Sequence, residues 1–381
     1  MDFEQEKTTA LYPPVGADGG QPLSKETNQS IAEDTAEYKT QADDLEEIMQ
    51  QIRRASDPAY LPTVSMNDLY EQVFPGRPPV IDGLLYAGTY LFVGAPKVGK
   101  SFLMAQLAYH VSMGIPLWGY AVRQGTVLYL ALEDHHRRLQ ERLYRMFGTD
   151  STPDLRFAIC AKKLDNGLEE QLKKFIHEHP DTRLVIIDTL QKVRENGGDK
   201  YSYASDYDVI TGLKQFADTS GICLLLVHHT RKQQADDRFD MISGTNGLLG
   251  AADGAFLLQK ERRTGNTATL DISGRDQQDQ RLYLTRDEER LVWRLERTET
   301  ELWREPPDPV LEAVAALVTA ERPEWAGTAT ELIAVLGLEL QPNALTKRLN
   351  VRAGKLLNDF HIRYENAHIR TGSRIKLAKE V

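Results

Sequence analysis

The segment that most constrains the fold is FVGAPKVGKS, residues 92–101. It contains Gly94, four intervening residues and then Gly99-Lys100-Ser101, which is the pattern of a phosphate-binding loop. An apolar, β-prone run precedes the segment, and apolar residues at helical spacing follow it. The glycine loop therefore joins a predicted strand to a predicted helix, where backbone N–H groups converge on an anion. This context predicts a phosphate loop rather than an ordinary surface turn.

The loop would bind ATP, with Mg²⁺ as the accompanying cofactor. Lys100 would reach the β- and γ-phosphates, and the Ser101 hydroxyl would bind Mg²⁺. The predicted ATP-binding residues are Gly94, Ala95, Pro96, Lys97, Val98, Gly99, Lys100 and Ser101.

The composition predicts a soluble globular protein of two to three domains, since 41% of the 381 residues are hydrophobic and 27% are charged. No apolar run approaches the length of a membrane span, and the N-terminal MDFEQEKTT is acidic where a signal peptide would be basic. The only cysteines, Cys160 and Cys223, lie in apolar runs. They predict two buried strand cysteines, a reducing cytoplasm and no metal cluster or disulfide framework.

Charge is distributed unevenly along the chain, whose net charge is −10. Residues 1–60 hold thirteen acidic and five basic side chains, whereas residues 342–381 hold nine basic and three acidic ones. The first forty residues lack apolar periodicity, so we expect them to be disordered. A proline-rich linker is predicted at REPPDP, Arg304–Pro309. We therefore expect an acidic, largely disordered region at 1–60, a P-loop ATPase domain at 61–304 and a basic domain at 308–381.

Strand-like and helix-like runs alternate after the phosphate loop. They are TVLYLAL, a helix from Asp134, LRFAIC, GLEEQLKKFIHEH, RLVIID, DVITGLKQFAD and GICLLLV. This alternation predicts an α/β fold with a mostly parallel sheet and helices on both faces. GAFLLQK, TATLDIS and RLYLT then follow without helices between them, as antiparallel additions to one edge would.

Two carboxylates follow predicted strands, as phosphate transfer requires. Asp188 ends RLVIID, where ligands bind in open α/β sheets, and is the predicted Mg²⁺ carboxylate; the alternative is a helix-capping aspartate. Glu133 ends VLYLALE and is the predicted base for the attacking water; the alternative is a solvated acid in the first turn of a helix. Asp134 is better suited to be the N-cap of that helix.

A third strand, LLLVHH, ends in His228 and His229, which Arg231 and Lys232 follow. Polar groups at this edge would face the γ-phosphate and report its loss to the long glycine-rich loop beyond. A zinc role is disfavoured because no further ligand lies at the required spacing. Either histidine could also be a plain residue at a strand end. Arg275, in LDISGRD, could be an arginine finger that reaches a neighbouring subunit's ATP or an ordinary edge-strand arginine.

The C-terminal segment reads as three helices and a hairpin. The helices are DPVLEAVAALVTAE, GTATELIAVLG ended by Gly337, and QPNALTKRLNVRAGKLLNDF, and the hairpin turns at RTGS. This is a winged-helix pattern of α+β type. Its predicted DNA-contacting side chains are basic: Lys347, Arg348, Arg352, Lys355, Arg370, Arg374 and Lys376, to which Arg231 and Lys232 are added. The alternatives are a solvated basic face or a docking site for the acidic N-terminal region.

The ordered set GAPKVGKS, LALED, LVIIDT, LVHHTRK, SGTNGLLGAADG and SGRD resembles the RecA-like ATPases of the plasmid helicase RepA type, over residues of about 65 to 300. The C-terminal segment resembles modules appended to helicases and primases of mobile elements. The resemblance implies a hexameric ring that moves along single-stranded DNA, with duplex DNA and a primase, initiator or loader as further partners. It assigns the phosphate-loop lysine to Lys100, the Mg²⁺ aspartate to Asp188, the catalytic glutamate to Glu133 and a sensor to His228 or His229. Such helicases often have a Lys-x-Arg pair where this chain has only Arg275.

Three functions are thus compatible with the sequence. The first is an ATP-dependent DNA helicase or translocase for replication of a plasmid, phage or integrated element. The second is a DNA-tethered ATPase switch that regulates or recruits partners without unwinding. The third is a recombination or repair ATPase that forms open filaments.

Overall fold

The structure is a computed structural model that describes most of the chain from Ser56 onward. The described ranges are 56–74, 79–194, 203–230, 246–260, 264–275, 277–300, 307–369 and 372–380, with the single residues Met49, Arg53, Gly76, Phe239, Ile242 and Arg262. The chain divides into two compact units at the Leu69–Tyr70 boundary. Most of the acidic region predicted at 1–60 lies outside the described residues.

Within the described residues, the largest sheet has nine strands in the order β11-β10-β9-β8-β3-β7-β6-β4-β5. Two short strands, β1 (Pro79–Ile81) and β2 (Leu85–Tyr86), pair separately. The nine are β3 (Gly88–Gly94), β4 (Thr126–Ala131), β5 (Leu155–Ala158), β6 (Thr182–Asp188), β7 (Cys223–His229), β8 (Gly254–Lys260), β9 (Thr267–Gly274), β10 (Gln280–Arg286) and β11 (Trp293–Thr300).

Six of these strands, β5-β4-β6-β7-β3-β8, run parallel, and β9 to β11 continue the sheet in antiparallel pairs. The α/β class with antiparallel strands at one edge is therefore confirmed. The prediction for one strand is wrong, because GAFLLQK (β8) pairs parallel to β3 and only β9 pairs antiparallel to it. The chain reaches β8 from the opposite side of β3 through a crossover after β7, and such a crossover gives a parallel pair. The strand β11 was not predicted.

Helices cover both faces of the sheet. The phosphate-loop helix α2 (Lys100–Met113) and α3 (His136–Phe147) pack on one face, where their apolar residues join the same buried cluster as Phe92, Tyr129 and Ile186. A short helix, α1 (Met66–Glu71), precedes the sheet. The other face carries helices whose apolar side chains join a second cluster with Leu91, Val185 and Leu224: α4 (Leu168–Glu178), α5 (Leu190–Val193), α6 (Tyr203–Ser220) and α7 (Asn246–Ala251). The central strands contribute apolar side chains to both clusters, since successive side chains point to opposite faces of the sheet.

Two local predictions are wrong. Helix α3 begins at His136, and its N-cap is His135, whose ring accepts from the Arg138 N–H, so Asp134 is not the cap. Asp134 instead pairs with Arg138 and Arg142, which draw its carboxylate to the side of the helix. Cys160 lies beyond the end of β5 and is exposed, whereas Cys223 is buried as predicted.

Residues 307–380 have their own apolar core. Their elements are α8 (Pro309–Leu317), β12 (Glu324–Thr328), α9 (Ala329–Leu336), α10 (Pro342–Phe360), β13 (Ile362–Ile369) and β14 (Gly372–Lys379), with strands in the order β12-β14-β13. Asp308 caps α8 through the N–H groups of Val310 and Leu311, so the helix begins inside the predicted linker. The three helices and the hairpin match the sequence-based expectation, but β12 was missed, and its last two residues, Gly327 and Thr328, were included in the second helix. We call residues 307–380 the C-terminal module.

The C-terminal module contacts the residues that precede the first strands, residues 70–74 and 76. The Asn350 side chain, only 2% exposed, donates to the carbonyl oxygens of Tyr70 (2.9 Å) and Glu71 (3.1 Å). Val73 packs against the module's apolar core, and Gly76 lies against Gly354 of α10. We call Tyr70–Phe74 and Gly76 the lead-in segment. None of the helices in the described residues is long and apolar enough to cross a membrane.

Candidate functional site

The predicted phosphate loop joins the end of β3 to the start of α2, as expected. Its first glycine is required by space, because a Cβ on Gly94 would lie 2.7 Å from the Leu258 carbonyl oxygen. Gly99 has φ +112°, and a Cβ there would lie 2.9 Å from the Trp293 ring. No side chain caps the first turn of α2. The N–H groups of that turn therefore have no side-chain acceptor, as expected of an anion site.

Lys100 lies inside this loop with 6% of its surface exposed. Its Nζ donates to the carbonyl oxygens of Gly94 (2.7 Å) and Ala95 (3.2 Å). Nζ also lies 3.2 Å from Nδ1 of His229. Burial lowers the pKa of Lys100 to about 8, although the carboxylates of Asp188 and Glu133 act in the opposite direction. The ammonium is thus held by weak acceptors, and phosphate oxygens would be stronger ones.

Asp188 ends β6 beside the phosphate loop and is 6% exposed. Its carboxylate accepts hydrogen bonds from the hydroxyls of Ser101 and Tyr129, the latter at 2.8 Å. Burial raises the pKa of Asp188, while these two hydrogen bonds lower it. The hydrogen bond from the Ser101 hydroxyl to Asp188 supports a role of Asp188 as a Mg²⁺ ligand rather than as a helix cap.

Glu133 follows β4 and is exposed. Its Oε1 accepts a hydrogen bond of 3.3 Å from the hydroxyl of Thr189, the residue after Asp188. Its charge raises the pKa of both Lys100 and His229. Glu133 therefore belongs to the same cluster as Lys100 and Asp188, and an exposed carboxylate there could accept a proton from water.

The two histidines of β7 have different surroundings. His229 pairs in register with Gly94 and contacts Lys100, whereas His228 pairs with Val93 and is buried at 4% exposure. Burial, followed by the positive charge of Lys100, lowers the pKa of His229, so its neutral Nδ1 can accept from the ammonium. The geometry favours His229 as the sensor, a choice that the sequence left open.

Arg275 is not brought to this cluster. It follows β9, whose last residue Gly274 pairs with Gly254, the first residue of β8. Gly94 pairs instead with Leu258, toward the other end of β8. The exposed Arg275 guanidinium donates to the carbonyl oxygen of Gly250 in the same chain. Arg275 therefore lies at the end of the sheet opposite the phosphate loop.

The structure adds residues that the sequence did not single out. The Gln106 side chain bonds both the N–H (2.7 Å) and the carbonyl oxygen (2.8 Å) of Trp293, which fixes that ring against Gly99. The guanidinium groups of Arg286 and Arg142 lie over the Phe102 ring, 4.3 Å and 5.0 Å from its centroid. Gln106 could have been noticed as a polar residue among the apolar positions of α2.

The basic residues of the C-terminal module are not equivalent. Arg348 makes a two-pronged ion pair with Asp308, so its charge is engaged within the module. Lys347 lies over the Tyr70 ring, with Nζ 5.9 Å from the centroid. Arg352 and Lys355 are partly buried on α10, and Arg374 and Lys376 are exposed on β14. Arg231, Lys232 and Arg370 lie outside the described residues.

The residues of the cluster fit the proposed ligands. Mg²⁺ prefers oxygen donors, and Ser101 and Asp188 present a hydroxyl and a carboxylate that already contact each other. A nucleotide phosphate needs close approach to the backbone, and the space at Gly94 excludes any side chain. No group of three or more His, Cys, Asp or Glu side chains in the described residues could hold a metal ion by itself.

The chain is similar to known proteins over part of its length. Residues 55–235, just under half of the chain, match a family described as AAA domain. Two solved structures are similar: an ATPase domain (15% identity, TM-score 0.46, covering 55% of this chain and 84% of that one) and a DnaB-like replicative helicase described with its interactions with primase (16% identity, TM-score 0.48, covering 71% and 76%). The comparison with curated proteins found no match. The AAA domain match and the geometry around Lys100 together support an ATP hydrolase that uses a nucleotide and Mg²⁺.

Proposed function

We propose that the chain is an ATP-dependent DNA helicase or translocase that works as a ring in the replication of a plasmid, phage or integrated element. The observation that carries the ATPase part is the convergence of Lys100, Ser101, Glu133, Asp188 and His229 at the carboxyl ends of β3, β4, β6 and β7. Such a cluster at the carboxyl edge of parallel strands is where ligands bind in open α/β sheets.

Each residue of the cluster has a distinct task in this proposal. Lys100 would exchange the carbonyls of Gly94 and Ala95 for phosphate oxygens. Ser101 and Asp188 would hold Mg²⁺, which supplies positive charge next to the phosphates. Glu133 would orient the attacking water and accept its proton. Catalysis in this arrangement is positioning combined with electrostatic stabilisation.

Nucleotide binding would move the Lys100 ammonium away from His229, and the hydrogen bonding at the end of β7 would change as a result. The Lys100 ammonium is within hydrogen-bonding distance of His229 Nδ1. When phosphate oxygens take over the ammonium, His229 loses this partner and becomes available to another donor. This exchange supports a sensor role for His229, whose strand leads into residues 231–245.

The DNA-binding part rests on the C-terminal module. The order α8-β12-α9-α10-β13-β14, with β14 between β12 and β13, supports the winged-helix assignment. Exposed Arg374 and Lys376 and partly exposed Lys347 would contact phosphates. Single-stranded DNA, a hexameric ring and a primase, initiator or loader partner are proposed from the RepA-type resemblance. A cytoplasmic location is proposed from the cysteine content of the sequence.

The second candidate is the DNA-tethered ATPase switch, and one observation favours it. The Arg275 guanidinium already donates to Gly250 of its own chain. If Arg275 keeps this hydrogen bond, it does not act as an arginine finger on the ATP of a neighbouring chain, and hydrolysis would then be slow.

The test is ATP hydrolysis by the full chain with and without single-stranded DNA. We expect DNA to stimulate hydrolysis, Lys100→Ala to abolish it, and Glu133→Gln to retain ATP binding and lose turnover by about 10²-fold or more. Asp134→Asn is the matched control, because Asp134 adjoins Glu133 but pairs with Arg138 and Arg142. If Glu133→Gln and Asp134→Asn hydrolyse ATP equally fast, Glu133 is only a solvated acid.

Strand displacement separates the two candidates. A helicase unwinds a partial duplex in an ATP-dependent reaction that Lys100→Ala abolishes. A switch hydrolyses ATP and binds DNA but leaves the duplex intact.

A further inference from the structure

Tyr129 points a hydroxyl group at the carboxylate of Asp188. The residue lies in β4, is fully buried (0% exposed) and donates to Asp188 Oδ2 over 2.8 Å. Its ring packs against Phe157, with 5.5 Å between the centroids. A phenylalanine would fill the same space, so the core does not require the hydroxyl. The hydroxyl is the feature that needs a functional explanation.

The strand register explains how the hydroxyl reaches the carboxylate. Tyr129 pairs with Ile186, and Ala131 pairs with Asp188. Tyr129 and Ile186 belong to the cluster on the α2 face of the sheet, and Asp188 follows Ile186 by two residues on the same face. The tyrosine ring thus runs along the sheet, and its hydroxyl meets the carboxylate of the next residue on that face. A shorter side chain at this position would not reach.

The two hydrogen-bond donors to Asp188 differ in their surroundings. Ser101 belongs to the phosphate loop and would itself take part in binding the nucleotide and its metal. Tyr129 lies in a strand that is buried between β5 and β6. Its hydrogen bond therefore fixes the carboxylate whether or not the loop rearranges.

We propose that Tyr129 is the positioning residue for Mg²⁺ binding, because it holds the Asp188 carboxylate in the orientation that receives the metal. The inference rests on the proposed ATPase function, since it requires a nucleotide and Mg²⁺ at this site. Hydrogen-bond partners of metal-binding carboxylates orient the ligand and commonly contribute about 10- to 100-fold to metal affinity.

The test compares ADP binding to the full chain in Mg²⁺ and in EDTA by titration calorimetry. The ratio of the two affinities measures how much the metal contributes. We expect Tyr129→Phe to lower this ratio by about tenfold or more and to leave the affinity in EDTA unchanged. A purely structural role would lower thermal stability or both affinities together, and would not lower the ratio alone.

Tyr364→Phe is the matched control. Tyr364 is also buried (5% exposed), and its hydroxyl donates to Asn350 Oδ1 over 2.7 Å in the C-terminal module. The variant removes a similar buried hydrogen bond at another place, so its affinity ratio should equal that of the parent. In an Asp188→Asn background, Tyr129→Phe should have no further effect on the ratio, because its target carboxylate is absent.

The outcomes are distinguishable. A parent chain that binds no ADP contradicts the proposed function itself. A parent with a clear Mg²⁺ effect that Tyr129→Phe retains in full overturns the role of Tyr129 alone. An unfolded Tyr129→Phe chain beside a folded Tyr364→Phe chain also overturns it, since the hydroxyl would then serve the fold.

Discussion

Lys100 is the residue on which the state of the whole site depends. Its ammonium is bound by the loop that it would use for phosphate and by the strand end that would sense phosphate. A buried ammonium with only carbonyl and imidazole partners is less stabilised than one in water, and its pKa falls for that reason. A polyphosphate would reverse this shift.

This reversal predicts how ADP affinity depends on pH. Burial lowers the pKa of Lys100 to about 8 in the free protein, and bound phosphates would raise it. Binding above that pH therefore takes up a proton, and rising pH weakens it, approaching tenfold per pH unit. Below the pKa the lysine is already charged, so its titration has no effect. Calorimetric titration of ADP in EDTA between about pH 7 and about pH 9.5 measures the slope.

Lys100→Arg supplies the control for this prediction. A guanidinium stays charged over the whole range, so the variant should bind ADP more weakly but with a flat profile. A parent chain whose affinity does not change above about pH 8 would show that Lys100 does not hold the phosphates as an ammonium.

At the scale of elements, periodicity predicted most of the architecture. The alternation of β-prone runs with helix-like runs indicated the parallel strands, and the absence of helices after residue 260 indicated the antiparallel edge. The predicted direction of β8 was wrong because strand direction depends on the route of the long connection, which periodicity does not encode. The strand β12 was missed because it is short and runs directly into the capping box of Thr328 and Glu331, so its last two residues were assigned to the helix.

Site residues were predictable where a motif places them next to a strand end. Lys100, Glu133 and Asp188 were found in this way, and they do lie together. Tyr129, Gln106 and Asn350 were not found, because no motif places them next to a strand end. Their partners are distant in sequence, so only the folded chain identifies the acceptor.

The contact between the lead-in segment and α10 explains a glycine inside a long helix. Gly354 lies within the 19-residue α10, where glycine costs about 1 kcal/mol relative to alanine. A Cβ on Gly354 would lie 2.8 Å from the Cα of Gly76 and 3.3 Å from its nitrogen. These are backbone atoms, so a side chain cannot turn away to relieve the overlap.

We therefore expect Gly354→Ala to destabilise the chain despite the better helix propensity of alanine. The overlap should cost about 1–3 kcal/mol and loosen the lead-in segment. Denaturant unfolding measures the first effect, and amide hydrogen exchange of residues 70–76 measures the second. Gly212→Ala in α6 is the control, because nothing lies within 4 Å of its Cβ position, and it should stabilise by about 0.5–1 kcal/mol. Equal stabilisation by both variants would contradict a tight contact at Gly76.

At the scale of the whole molecule, the sheet separates the phosphate loop from Arg275. Gly94 pairs with Leu258 and Gly274 pairs with Gly254, so the two sites are four β8 residues apart, about 13 Å along the strand direction. An arginine side chain at the far end does not span that distance. Arg275 therefore does not reach a nucleotide bound to the phosphate loop of its own chain, and any role in hydrolysis requires a second copy of the chain.

A mixing experiment tests that requirement. Lys100→Ala removes the phosphate-loop cation, and Arg275→Ala removes the finger, so each variant alone should hydrolyse ATP at least about 10³-fold more slowly than the parent. In a ring, a mixture contains some interfaces with an intact loop on one subunit and an intact Arg275 on the next. We expect ATPase activity to return partly in the mixture, and ADP affinity of Arg275→Ala alone to match the parent, because its own loop is untouched. If mixtures known to exchange subunits stay as inactive as the separate variants, Arg275 serves only its hydrogen bond to Gly250. The slow switch would then describe the molecule better than a ring helicase, since no other described residue has been assigned to the neighbour's phosphate.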